Sequence, residues 1–105
     1  MSQERRRSPR YPFFAAAELV EDTTQVRLTT HLSELSMHGC YLDIMNPFPT
    51  GSVVRITISD GPASIQCQAK VVYSQPNMGM GVAFANVEEK YVKVLEAWME
   101  KAKNI

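Results

Sequence analysis

The chain has 105 residues, 45% of them apolar and 21% charged, with 11 basic and 11 acidic side chains. That size suits one domain with a modest core of its own, and the composition excludes a disordered tail, a collagen-like repeat and a disulfide scaffold. No apolar run approaches the ~18 residues that span a bilayer, and MSQERRRSPR lacks the apolar stretch of a secretory signal, so no membrane insertion and a cytoplasmic location are expected.

The balanced total hides an uneven distribution. Residues 1–10 carry Arg5, Arg6, Arg7 and Arg10 against Glu4 alone, a net +3. Residues 11–85 carry Arg27, Arg55 and Lys70 against six acids, a net −3. The rest is balanced. This argues against a binder of nucleic-acid polymers, which needs a broad basic surface, and leaves room for a local anion site at the start of the chain.

After this leader, Phe13–Val20 is apolar and reads as a strand of unclear phase. Val26, Leu28, Thr30 and Leu32 alternate with polar residues, as a half-buried antiparallel strand requires. Cys40, Leu42 and Ile44 form a shorter row, and Val54, Ile56 and Ile58 another. Ile65, Cys67, Ala69, Val71 and Tyr73 make the longest inward row, and Met80, Val82 and Phe84 the last. Turn chemistry divides these runs at residues 21–24, 46–51, 60–62 and 75–77. Six short strands at near-regular spacing predict an all-β fold, a closed or nearly closed antiparallel β-barrel.

The period then changes to that of a helix. Asn86 with Glu89 three residues later has the form of a capping box, and Tyr91, Val94, Leu95, Trp98 and Ala102 follow as one apolar stripe. A C-terminal helix over 87–103 is expected. Trp98 is expected to pack against the barrel, although Trp98 and Met99 also suit a homodimer contact.

Few residues carry chemistry. His31 and His38 lack partners at metal-ligand spacing and read as strand and turn residues. Cys40 and Cys67 lie far apart in apolar contexts and read as reduced core thiols. No acid–base pair or metal set is visible, so the chain is not expected to be an enzyme and no cofactor is expected. Two places remain. Arginine presents a planar fork of donors that fits phosphate or the O6/N7 edge of guanine, and Pro9 keeps Arg6 and Arg10 off a regular helix. Residues 32–39 form a bend between two strands. There Glu34 and Ser36 bracket Leu35 and share a side in an extended chain, offering an acceptor and a hydroxyl. Gly39 provides either a positive φ or a close backbone approach.

The order Arg6-Arg7-Ser8-Pro9-Arg10, then Glu34-Leu35-Ser36-Met37-His38-Gly39, then Gly79-Met80-Gly81-Val82-Ala83-Phe84 resembles the PilZ domain family. That family carries R-x-x-x-R, [D/N]-x-S-x-x-G and G-x-G-V-x-F followed by a helix. The resemblance runs over about residues 5–103. It implies a six-stranded barrel that binds the second messenger cyclic di-GMP without catalysis, in a bacterial signalling setting with an unidentified downstream protein. Arg6 and Arg10 would hold phosphates and stack on or pair with guanine, Ser36 and Gly39 would meet a guanine edge, and Arg5 and Arg7 would add contacts. Glu34 departs from the pattern, standing where the family has Asp or Asn. A displaced buried hydrogen bond costs ~1–3 kcal/mol, so affinity is where that departure is felt. Residues 1–10 are expected to form a mobile arm that the ligand orders. A PilZ-like adaptor that binds proteins and no nucleotide is the alternative.

Overall fold

The structure, a computed structural model, describes residues 9–103. Six strands follow in order: β1 (Tyr11–Glu21), β2 (Arg27–Ser36), β3 (Gly39–Asp43), β4 (Val53–Asp60), β5 (Ala63–Gln75) and β6 (Gly79–Ala85). One helix, α1 (Glu89–Lys103), ends the described chain. The strands close into an antiparallel barrel in the order β1-β2-β3-β6-β5-β4, so no strand edge is left open. The expected fold class is the one observed.

The alternating residues make the core. Leu19, Leu32, Leu35, Leu42, Ile56, Ile58, Ile65, Val71 and Met80 are fully enclosed, as are Val54 and Leu95. Most of these lie on the rows predicted from the sequence. Three irregularities interrupt the strand register. Between Pro12 and Ala15 the register with β2 shifts by one residue, and similar shifts occur between Leu32 and Glu34 and between Val71 and Tyr73. Each inserts one extra residue into a strand, and in β2 and β5 the side-chain alternation changes there. Leu32 and Leu35, three apart, thereby both face inward. Tyr73, expected in the core, is instead 40% exposed. Val26 also departs from expectation: it precedes β2, in the loop after β1, and is 48% exposed.

The β4–β5 hairpin closes through Gly61-Pro62, with Asp60 opposite Ala63. Gly61 has φ +62 and proline fixes a negative φ, the sign pattern of a type II′ turn suited to strand twist. The helix starts at Glu89, two residues later than expected, because Asn86 sits at φ 52 in the left-handed region and so lies outside any helix. The Glu88 carbonyl accepts from Val92 N–H at 3.0 Å and serves as the first helical acceptor. Leu95, Trp98, Met99 and Ala102 are buried against β1 and β5, and the Trp98 ring lies 5.5 Å from that of Phe13. Trp98 packs on the barrel as expected. Met99 is buried beside it.

Candidate functional site at the start of β1 and the β2–β3 bend

The predicted bend is mostly strand. β2 runs through Ser36 and β3 begins at Gly39, so only Met37 and His38 turn. The Ser36 hydroxyl donates to the Gly39 carbonyl at 3.3 Å and accepts the His38 N–H at 3.2 Å. Ser36 is buried, while Glu34, two residues earlier, remains half-exposed. The shared side expected for them does not give equal access. Gly39 does not have a positive φ. It serves the other purpose: a Cβ there would run into the Val82 carbonyl of β6 and come within 3.3 Å of Ala83 Cα. The His38 carbonyl also accepts Phe84 N–H at 2.8 Å. The hairpin tip is thus fastened to β6 through backbone.

Arg10 stands one residue before β1. The β1–β2 register sets Pro12 opposite Glu34, which brings Arg10 Nη1 within 3.5 Å of Glu34 Oε1, both side chains about two-fifths exposed. A guanidinium and a carboxylate predicted separately for the site are therefore adjacent on the outer surface. Arg5, Arg6 and Arg7 lie outside the described residues.

Sequence reasoning missed the aromatic and ionic surroundings. Phe13 continues the inward row of Ala15, Ala17 and Leu19, which leaves Phe14 on the outer face, 72% exposed. Its ring centroid lies 4.6 Å from that of His31. His31 Nε2 is 3.2 Å from Asp43 Oδ2, and Ser33 Oγ is 3.4 Å from Asp43 Oδ1. Further round, Tyr41 and Tyr73 approach at 6.0 Å between centroids. They cover the glycines of β6, since a Cβ on Gly79 would meet Tyr41 Oη at 2.7 Å and one on Gly81 would meet Tyr73 Cε2 at 2.5 Å. Burial, with Tyr73 and Asp43 close by, raises the Tyr41 phenol above its ordinary range. The signal for this was the Gly79/Gly81 pair opposite two tyrosines, which only the register reveals.

Among the described residues no cluster of His, Cys, Asp and Glu is arranged to hold a metal ion. No helix among them is long and apolar enough to cross a membrane. Cys40 and Cys67 are buried free thiols, and burial pushes the Cys67 thiol up to about 11 and Cys40 further still.

A family model described as the PilZ domain matches residues 4–101. The chain belongs to the PilZ domain family. Solved structures agree on the fold. The PilZ domain of YcgR from Escherichia coli, determined with c-di-GMP, is 15% identical with a TM-score of 0.75, over 96% of this chain and 93% of that one. The Bacillus subtilis inhibitor of motility MotI/DgrA is also 15% identical, with a TM-score of 0.76 over 97% of this chain. This chain spans about half of that protein, 53% of its length. The PilZ domain of CeSA from a cellulose-synthesizing bacterium is 15% identical with a TM-score of 0.68, over 89% of this chain and 97% of that one. No curated protein sequence matches the chain.

Proposed function

We propose that this PilZ domain is a non-catalytic receptor for cyclic di-GMP, acting in a bacterial cytoplasm. The reading is supported most by one juxtaposition: Arg10 and Glu34, from two separate family motifs, form an ion pair at the outer barrel surface beside the Ser36–Gly39 hairpin. Arg6 and Arg10 supply bidentate, charge-assisted bonds to phosphate or to the guanine O6/N7 edge. Arg5 and Arg7 add positive charge. Glu34 orients Arg10 and offers its second oxygen to a guanine N–H. The Ser36 hydroxyl rotates between its hairpin partner and a base edge, and Gly39 holds the hairpin close to β6.

The output is the closing of residues 1–10 over the ligand. Four arginines repel one another until the phosphates neutralise them, and the ligand then draws the leader onto the barrel, changing the surface offered to a downstream protein. The neighbouring folds include an inhibitor of motility and MrkH, described as a c-di-GMP-dependent transcription regulatory factor. Amide spectra test the reading. On addition of cyclic di-GMP the resonances of residues 5–10 and 34–39 shift together. No shift at high micromolar ligand favours the alternative, a PilZ adaptor that contacts proteins and not the nucleotide.

A further inference from the structure

At Pro12 to Phe14 the outer surface opens into a groove of about 370 Å³, also lined by Ser33, Asp60 and Lys101. It lies where four parts of the fold meet: the irregular start of β1, Ser33 of β2, the tip of the β4–β5 hairpin and the last turn of α1. Its volume is at the small end for ligand pockets, which suits one flat base and not a whole dinucleotide. The wall is apolar and ring-bearing, and the edge is polar. Lys101 Nζ donates to Asp60 Oδ2 at 2.9 Å, a carboxylate and an ammonium side by side. Ser33 adds a hydroxyl at the β2 side.

We infer that this groove receives one guanine base of the bound dinucleotide, stacked on Phe14, with Asp60 and Lys101 reading its edge. The inference rests on the receptor reading above. A guanine edge presents N1–H and N2–H donors beside the O6 acceptor, and a carboxylate next to an ammonium is the complementary pair. Adenine presents an acceptor at N1, which would face the Asp60 carboxylate lone pairs. The same groove therefore favours guanine over adenine.

Phe14 is suited to a stacking role. A single exposed apolar side chain is ordinary on a protein surface, but this ring is braced. His31 packs beside it at 4.6 Å and is itself fixed by Asp43, which also accepts from Ser33. His31 thus flanks one side of the ring, and the rest of it is open to a stacking partner. Phe14 is also only four residues from Arg10, on the same strand entry. A dinucleotide anchored by its phosphate at Arg10 then has a base within reach of the groove.

Calorimetric titration of the full chain with cyclic di-GMP and cyclic di-AMP tests this, using wild type, Phe14→Ala, Phe14→Trp and Asp60→Asn. Loss of one base–aromatic stack corresponds to roughly ten-fold or more in affinity. Phe14→Ala is expected to lose that much for cyclic di-GMP, and Phe14→Trp to restore it. Asp60→Asn is expected to narrow the preference for cyclic di-GMP over cyclic di-AMP. Amide shifts at Ser33, Asp60 and Lys101 accompany wild-type binding. If wild type binds but Phe14→Ala binds equally well and those amides stay still, the groove assignment is overturned and the receptor reading stands. If wild type does not bind at all, the receptor reading falls and takes the groove with it.

Discussion

Arg10 Nη1 and Glu34 Oε1 stand 3.5 Å apart across the first paired residues of β1 and β2, each side chain two-fifths exposed. A pair so open to water contributes ~0–1 kcal/mol to stability. Its consequence is positional: a guanidinium held at the barrel face beside a hairpin. Replacing Arg10 with alanine should therefore leave the thermal midpoint almost unchanged. Glu34→Asp restores the residue type of the family pattern and should preserve or tighten cyclic di-GMP binding. A large loss of affinity in Glu34→Asp, read by calorimetry, would reject the role assigned to this carboxylate.

Gly39 and Gly81 make contrasting predictions. A methyl at Gly39 meets the Val82 carbonyl and the Ala83 Cα, both backbone. A methyl at Gly81 meets the ring of Tyr73, which is partly exposed and free to swing outward. Gly39→Ala should destabilise by ~1–3 kcal/mol, as overpacking does, and Gly81→Ala by clearly less. Chemical denaturation of both variants checks the order, and a reversed order would contradict it.

Glu21 closes the β1–β2 loop. The Thr24 hydroxyl and the Thr24 N–H each donate to its Oε1 at 2.7 Å, with the hydroxyl the larger influence, and they hold the carboxyl below its ordinary range. A carboxyl lowered in the folded state stabilises the fold above its unfolded pKa. That contribution disappears as pH falls through the lowered folded value. Thr24→Ala should thus be less stable than wild type near neutral pH, and the gap should close on acidification. A gap that stays constant from pH 7 to pH 2 would show that the hydroxyl acts by packing alone.

Trp98 fastens α1 to the barrel. It is buried, 5.5 Å from the Phe13 ring between centroids, with Lys101 Nζ 5.9 Å from the centroid of the same Phe13 ring. Trp98→Ala should cost ~3–5 kcal/mol, enough to threaten a domain of this size. Trp98→Phe should recover much of it. Urea unfolding measures both, and a cost below ~1 kcal/mol for the alanine would mean that the helix is not integral to the core.

Most of the fold was legible in the sequence. The alternation in Ile65–Val71 and Val54–Ile58 needed only the two-residue period, and the turn at Gly61-Pro62 needed only its chemistry. What escaped were the three inserted residues that shift register near Phe14, Ser33 and Val72. An inserted residue has no composition of its own, so Tyr73 read as inward and turned out to be surface. The helix start was misplaced for a related reason: Asn86 has the side chain of a cap but a left-handed backbone. Of the candidate site, Arg10, Glu34, Ser36 and Gly39 were found as motif letters. The Arg10–Glu34 pairing, the engagement of Ser36 inside its own hairpin and the Phe14–His31 contact depend on strand register, which no single segment encodes.

Titration of the intact chain with cyclic di-GMP, in wild type and in Arg6→Ala and Arg10→Ala, bears most directly on the proposed receptor. Saturable binding to wild type, weakened in each variant by ~1.5–3 kcal/mol as expected for lost charge-assisted bonds, with GTP and cyclic AMP inert, is the predicted result. Wild type that ignores the nucleotide, or variants that bind it as well as wild type does, would contradict it.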